Sequence, residues 1–173
     1  RFGVVCGGSS LTALQPYNNI VRVGIENMAA VLGGAQSIFT AAYDEAFQIP
    51  TETSAEIALR TQQIVAHESG ISRTVDPLGG SYYVEWLTDQ MEAGIEEVMR
   101  EIEDYGGTVK AIEDGYLQSR IANRALERKL KADDGKRVVV GENYFRREDD
   151  HTDFGEVFQL DPKAAKRVAE RYA

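Results

Sequence analysis

Two short apolar segments, each followed by a stretch with helical periodicity, most constrain the fold of this 173-residue chain. Residues 2–6 and 35–41 have the composition of buried strands, whereas residues 16–32 and 53–68 have that of amphipathic helices. Strands that are apolar on both faces are typical of parallel sheets, because crossover helices cover them. The order strand, helix, strand, helix therefore predicts an α/β fold with parallel strands.

Each of the first two helices carries apolar residues at helical spacing. The stripe of the first helix comprises Tyr17, Val21, Ile25, Met28 and Leu32. The predicted inner face of the second helix comprises Ile57, Thr61, Ile64 and Val65. Thr53 and Glu56 form a possible capping box at its start. The pair Gly33-Gly34 is typical of a left-handed helix end.

The second half of the chain is predicted to be mostly helical. A long helix extends from about residue 82 to 105 and ends at Gly106-Gly107, and helical segments follow at 109–113, 117–131 and 162–172. Residues 138–140 are predicted to form a last short strand. We divide the chain into a domain at residues 1–145 and a charged linker with a terminal helical segment at residues 146–173.

Composition disfavours several classes of protein. The hydrophobic fraction of 43% and the charged fraction of 27% are typical of a globular domain, and no apolar run reaches the ~20 residues that span a bilayer. A net charge of −9 disfavours nucleic-acid binding, and the basic cluster at 120–131 is interpreted as a solvated helix face. A single cysteine fits a reducing, cytoplasmic location.

The predicted elements also suggest a portion of a longer polypeptide. The chain begins at Arg1 and leads directly into a strand-like segment. Two or three strands cannot close a barrel or complete a doubly wound sheet. We therefore expect the chain to be one part of a larger α/β protein.

Polar residues border both apolar strands. Gly8 follows the first strand, Gln36 precedes the second, and Glu45 follows the second. Ligands of parallel α/β proteins bind at the carboxyl ends of strands, and glycine lets a flat ligand approach the backbone. These three residues could converge on one ligand. The alternative is a turn glycine, a buried structural glutamine and a surface glutamate.

Other candidate residues favour structural interpretations. Asp149 and His151 nearly match D-x-H-x-x-G, a cobalt-ligating loop of cobalamin modules, but Gly155 is one residue late, so a polar linker is predicted. His67 is interpreted as a helix-end histidine and Cys6 as a buried strand cysteine. The spacing of His, Cys, Asp and Glu predicts no zinc or calcium site.

A series of motifs occurs in order over roughly residues 3–145. The motifs are Ser10-Leu11-Thr12, residues 15–22 (QPYNNIVR), Gly33-Gly34-x-Gln36-Ser37, Asp44-Glu45-Ala46, Pro50-Thr51, Thr61-Gln62, Glu68-Ser69-Gly70, residues 76–82 (DPLGGSY), Val84-Glu85, Gly106-Gly107 and Val139-Val140-Gly141-x-Asn143. In order and spacing they resemble the large subunit of the adenosylcobalamin-dependent acyl-CoA mutases. This family includes methylmalonyl-CoA mutase, and residues 64–70 and 76–80 are more similar to its isobutyryl-CoA mutase branch.

The resemblance implies the C-terminal portion of a (β/α)8 barrel that acts with a cobalamin-binding domain or small subunit. It implies an acyl-CoA substrate, coenzyme B12 as cofactor, a 5′-deoxyadenosyl radical mechanism and a homo- or hetero-oligomer. Gly8 would lie beside the corrin, and Glu45 would meet the adenosyl ribose or the corrin edge. Gln48 would contact the cofactor through its main chain, and Gln36 would line the catalytic cavity.

Four residues depart from the family pattern, and one of them is Phe39, which stands where the family usually has His. Gly3 and Val5 stand where the family usually has His and Gln, and Ala41 replaces an Asn that contacts the adenosyl ribose. These changes predict a less polar acyl group than methylmalonyl. They also leave open a noncatalytic scaffold or interaction domain derived from the same fold. The isolated fragment is expected to be inactive.

Overall fold

The chain forms two short strands and six α-helices in the part that the structure, a computed structural model, describes, residues 1–150 and 163–172. The strands and helices in chain order are β1 (Gly3–Val5), α1 (Asn18–Leu32), β2 (Ser37–Phe39), α2 (Glu52–His67), α3 (Tyr82–Tyr105), α4 (Thr108–Glu113), α5 (Tyr116–Asp133) and α6 (Ala164–Tyr172). Two short 3-10 turns lie at Gly8–Ser10 and Ile71–Arg73. The predicted order strand, helix, strand, helix is confirmed.

The chain divides into two compact units. The first contains Arg1–Arg73 and the tail from Glu148, and the second contains Thr74–Arg147. The first unit holds β1, α1, β2, α2 and α6, whereas the second holds α3, α4 and α5. The division of the chain at residue 145 stays a prediction.

The two strands of the first unit form a parallel sheet, as the sequence predicts. Val4 pairs with Ile38 and Val5 with Phe39. Ile38 packs with Leu11 against a small buried cluster of Cys6, Val23 and Ala41. Successive side chains of a strand point to opposite faces, and Val5 and Phe39 are 73% and 60% exposed on the other face. The sheet is therefore covered by helices on one face only within the described residues.

Helix α1 buries a different face from its apolar stripe. Its buried residues are Asn19, Val23 and Asn27, four residues apart, whereas Tyr17 and Val21 are 68% and 64% exposed. The buried asparagines make hydrogen bonds to main-chain groups, so their burial is compensated. A prediction from hydrophobicity places this asparagine-containing face of α1 on the solvent side.

Helix α2 begins two residues earlier than the predicted capping box. Thr51 is the N-cap, in an extended conformation, and its Oγ1 accepts a hydrogen bond from the Ser54 N–H at 3.2 Å. Thr53 lies inside the helix, so it cannot supply the extended cap residue. The predicted inner face is partly wrong, because Ser54 and Ala58 are buried while Ile64 is 51% exposed.

The second unit confirms the predicted long helix and its glycine end. Helix α3 ends at Gly106, whose φ of +115° is a left-handed conformation that favours glycine. The rings of Tyr105 and Tyr116 stack with centroids 4.3 Å apart. Glu101 accepts a hydrogen bond from the Tyr116 hydroxyl and pairs with Arg120, and these contacts lower the pKa of the Glu101 carboxyl.

The basic cluster on α5 is largely a solvated face, as predicted. Arg124 and Lys129 are exposed and pair with Glu127 and Asp133 on the same helix. No helix among the described residues is both long and apolar enough to cross a membrane.

The predicted strand at residues 138–140 is wrong. Among the described residues, Val140 belongs to no strand and forms an isolated bridge with Tyr144. The Val139 N–H bonds a side chain where a strand residue would bond a neighbouring strand. It donates to Asn143 Oδ1 at 2.7 Å. Asn143 Nδ2 donates to the carbonyls of Ala132 and Arg137, both at 2.7 Å. The segment is therefore a turn organised by one side chain.

Replacing Asn19 with Ala is expected to destabilise the first unit by about 3 kcal/mol, because buried main-chain groups lose their partners. The lost contacts are those to Thr12 and to the Tyr43 carbonyl. Urea unfolding of the complete protein measures the change. Asn18→Ala is the matched control, since Asn18 bonds only its neighbour Gln15 among side chains. Equal unfolding midpoints for the two variants would contradict this role of Asn19.

Candidate functional site

The candidate site lies where the two parallel strands end. The 3-10 turn Gly8–Ser10 follows β1, and a turn at residues 42–48 follows β2. The Cys6 N–H donates to the Phe39 carbonyl at 2.9 Å, which keeps the two strand ends adjacent. Carboxyl ends of parallel strands are the usual place for ligands in α/β proteins. Loops from both strands therefore meet at one edge of the sheet.

Asn19 joins the two loops that follow the strands. Its Oδ1 accepts from the Thr12 N–H at 3.0 Å, and its Nδ2 donates to the Thr12 and Tyr43 carbonyls, each at 2.8 Å. Arg22 adds hydrogen bonds to Asn19 Oδ1 at 2.7 Å and to Thr12 Oγ1 at 2.8 Å. Because Asn19 is fully buried on α1, it fixes both loops relative to the helix.

Glu26 of α1 holds the glycine turn after β1. Its Oε2 accepts from the Gly7 N–H at 3.0 Å, and its Oε1 accepts from Ser10 Oγ at 2.6 Å. Hydrogen bonds to an ionised carboxylate are stronger than those between neutral groups. The carboxylate therefore anchors the side of the turn that faces the helix.

Gly8 presents bare backbone on the open side of this turn. A Cβ added at Gly8 would meet no heavy atom within 4 Å, and the residue has no positive φ. Neither conformation nor packing within the described residues requires glycine here. Its small size leaves room for a group from outside these residues to approach the backbone.

Glu45 lies at the same edge of the sheet. One carboxylate oxygen, Oε1, accepts from the Ala42 N–H at 2.8 Å, and the residue is exposed. The other oxygen accepts no hydrogen bond within residues 1–150 and 163–172. Glu45 also borders a cleft of about 380 Å³ beside β2 and α2, together with Phe39, Thr40, Pro50, Leu59 and Gln62. One acceptor is therefore available to a ligand.

Gln48 is held by the buried Asp44. Asp44 Oδ2 accepts from Gln48 Nε2 at 3.0 Å and from the Thr51 N–H at 3.2 Å, which ties the turn to the start of α2. Two buried oxygens, Asp44 Oδ1 and Gln48 Oε1, have no hydrogen-bond partner among the described residues. Buried acceptors without partners carry an energetic penalty, so this pair can accept donors from a bound group.

Gln36 lies at the opposite end of the sheet from Gly8 and Glu45. Its Oε1 accepts from the Phe2 N–H at 2.8 Å, and its Nε2 donates to the Gly34 carbonyl at 2.8 Å. These contacts join the approaches to β1 and β2 at their amino ends. The structure thus brings Gly8, Glu45 and Gln48 to one edge and places Gln36 elsewhere, and its catalytic role stays a prediction.

Cys6 is buried at the end of β1, as predicted. Burial raises the pKa of its thiol, and the carboxylates of Glu26 and Glu45 raise it further. Both carboxylates therefore lie near the same strand end. His67 is the last residue of α2 and is exposed, which fits its predicted structural role.

In the described part of the chain, no group of three or more His, Cys, Asp or Glu side chains is arranged to hold a metal ion. The near match to D-x-H-x-x-G extends beyond this part. Its residues from His151 onward lie outside the described residues.

Sequence reasoning missed the two residues that shape the site, Asn19 and Glu26. Both are polar and lie within a helix whose apolar stripe is more prominent. The available signal was the spacing of Asn19, Val23 and Asn27, which places two asparagines on one face around a valine. Glu26 carries no distinguishing pattern, because its function depends on a turn 16 to 19 residues earlier.

Cys6 is expected to react with iodoacetamide at about pH 8 far more slowly than an exposed thiol, because only the thiolate reacts. Burial and Glu26 both raise the thiol pKa, so labelling should increase only at higher pH. Glu26→Gln removes the charge and should speed labelling of the Cys6 peptide, measured by mass spectrometry. Glu56→Gln, an exposed site paired with Arg60, serves as control. Labelling of native Cys6 at the rate of a free thiol would contradict the prediction.

Comparison with known proteins identifies relatives over nearly the whole chain. A sequence profile described as methylmalonyl-CoA mutase matches residues 1–172. The 2-hydroxyisobutanoyl-CoA mutase large subunit of Aquincola tertiaricarbonis is 45% identical over 171 residues, 99% of this chain and 30% of that subunit. Methylmalonyl-CoA mutase of Escherichia coli (strain K12) is 46% identical over 154 residues, 89% of this chain and 21% of that protein.

A human relative is similar to the chain to the same extent as the Escherichia coli protein. Mitochondrial methylmalonyl-CoA mutase of Homo sapiens is 46% identical over 154 residues, 89% of this chain and 20% of that protein. The chain spans 20% to 30% of the length of these relatives. The resemblance found in the motifs is confirmed, and the chain belongs to the methylmalonyl-CoA mutase family.

Proposed function

We propose that the chain is the C-terminal part of the (β/α)8 barrel of an adenosylcobalamin-dependent acyl-CoA mutase. The observation that carries this proposal is the edge of the sheet where Gly8 offers bare backbone and Glu45 offers an unbonded carboxylate oxygen. The parallel pair β1 and β2, covered by helices on one face, is the arrangement of two consecutive barrel strands. The other strands would come from the rest of the protein.

The residues at this edge fit the cofactor. Gly8 leaves space for a flat ring system, Glu45 can accept from ribose hydroxyls, and Gln48 supplies an amide oxygen without a partner. When bound, adenosylcobalamin would supply radical chemistry, that of a 5′-deoxyadenosyl radical, for hydrogen abstraction from the substrate. The chain's own residues orient the cofactor and exclude water from the cavity.

Gln36 has a different role in this proposal from that of the other three residues. Its two hydrogen bonds fix the amino ends of β1 and β2, at the other end of the strands from Gly8. Catalysis would depend on Gln36 through the alignment of the strands, and direct contact with the substrate remains a prediction for the assembled barrel.

The uncovered face of the sheet would line the cavity that receives the acyl group, because the interior of a barrel lies opposite its helices. This face presents Val5 beside Phe39 and Gly3 beside Ser37. A second carboxylate on the acyl group would find no cation among these side chains, and an unpaired buried charge is unfavourable. We therefore propose a less polar acyl group than methylmalonyl.

The assembly would include a cobalamin-binding domain or small subunit. The relative from Aquincola tertiaricarbonis is named a large subunit, which implies a smaller partner in that enzyme. We propose the same division here, together with a homo- or hetero-oligomer and a cytoplasmic location. Cys6, the single cysteine, is buried, and the pKa of its thiol is raised. A chain with one cysteine that is not in a disulfide fits a reducing compartment.

Gly8→Val is expected to weaken adenosylcobalamin binding about tenfold in the complete enzyme, because the side chain fills space that the cofactor needs. Spectroscopic titration with the cobalamin-binding partner present measures the affinity. Gly94→Val is the matched control, since a Cβ at Gly94 in α3 also meets nothing within 4 Å. If both variants bind as the wild type does, Gly8 is not a cofactor contact.

The complete enzyme is expected to isomerise an acyl-CoA with an apolar acyl group faster than methylmalonyl-CoA, because Val5 and Phe39 line the cavity. Comparing kcat/KM over a panel of acyl-CoAs tests this preference. Faster turnover of methylmalonyl-CoA would overturn the substrate class alone. No cofactor binding and no isomerisation of any acyl-CoA would favour a noncatalytic scaffold.

A further inference from the structure

We propose that Glu26 is a positioning residue, which holds the turn at residues 7–10 so that the backbone of Gly8 faces the cofactor. This inference rests on the proposed function. It extends that function to a helix residue that does not itself line the open side of the turn. Glu26 would act on the cofactor site through the glycine backbone.

The position of Glu26 on α1 is fixed by its neighbours along the helix. Val23 and Asn27, three residues before and one residue after Glu26, are 2% and 1% exposed. The helix backbone therefore cannot shift without disturbing the core of the unit. From this anchored position the carboxylate spans the space to β1, with Oε2 bound to the Gly7 N–H and Oε1 to the Ser10 hydroxyl.

The turn depends on these contacts because two consecutive glycines give it little intrinsic order. Within the turn, the Gly7 carbonyl accepts from the Ser10 N–H and the Gly8 carbonyl accepts from the Leu11 N–H, both at 3.1 Å. The Ser10 hydroxyl, which has a single proton, lies within hydrogen-bond distance of both Glu26 Oε1 and the Gly7 carbonyl, the latter at 2.8 Å. The Gly7 N–H is left for Glu26. Loss of the carboxylate would release the N-terminal end of the turn while its internal hydrogen bonds remain.

The contact requires hydrogen-bond acceptors and does not depend on ion pairing. Glutamine can accept from the Gly7 N–H through its amide oxygen, and its amide nitrogen can donate to Ser10 Oγ. Alanine can do neither. Glu26→Gln should therefore preserve the geometry of the turn and Glu26→Ala should lose it, and this difference separates positioning from a requirement for negative charge.

The test uses the complete mutase with its cobalamin-binding partner. Glu26→Ala is expected to raise the dissociation constant of adenosylcobalamin about tenfold, the effect of losing one hydrogen bond that holds the turn. The KM for acyl-CoA and the kcat at saturating cofactor should stay close to wild type. Glu26→Gln should restore cofactor affinity. Glu56→Ala, which removes an exposed carboxylate from α2, is the control.

The outcomes of this experiment distinguish the proposed mutase function from the proposed positioning role of Glu26. A wild-type enzyme that binds no adenosylcobalamin overturns both, whereas unchanged affinity in Glu26→Ala overturns the inference alone. If Glu26→Ala fails to fold, Ser10→Ala tests the same turn from the loop side, because it removes the hydroxyl that contacts both Glu26 and the Gly7 carbonyl. Weaker cofactor binding in Ser10→Ala supports the inference, and wild-type affinity overturns it.

Discussion

The site depends on the buried side chain of Asn19 more than on any apolar contact. Asn19 is the one side chain of α1 shown to bond both the loop after β1 and the loop after β2 in the described part of the chain. A buried amide with three main-chain partners tolerates little change of position, because each partner would otherwise be left unsatisfied. The loops that contain Gly8 and Glu45 are therefore joined by a helix residue that belongs to neither loop.

This dependence on hydrogen bonds follows from the small apolar core of the first unit. In the described part of this unit, the buried cluster consists of Cys6, Val23 and Ala41, with Leu11 and Ile38 against it. So few apolar side chains do not specify loop positions, since hydrophobic contacts have little directionality. Polar contacts such as those of Thr40 with Ala58 and Gln62 supply the missing specificity between β2 and α2.

Local signals in the sequence predicted the elements well and the buried faces poorly. The end of α3 follows from Gly106, and the parallel pair follows from two apolar segments joined by a helix. The buried face of α1 could not be predicted from hydropathy, because hydrogen bonds to distant main-chain groups compensate its asparagines. Likewise the roles of Gln36 and Glu26 depend on partners in other elements, which no local pattern reveals.

The two-stranded sheet separates the two tasks that the proposed enzyme must perform. Its carboxyl edge carries acceptors and bare backbone, which suit a polar cofactor with a large flat ring. Its uncovered face carries Val5 and Phe39, which suit an apolar group. Because edge and face belong to the same short strands, the cofactor and the acyl group would be positioned by a shared backbone. A change of side chain on the face could then alter substrate preference without moving Gly8 or Glu45, because Glu26 bonds Gly7 and Ser10 on either side of Gly8, and Glu45 accepts from the Ala42 N–H.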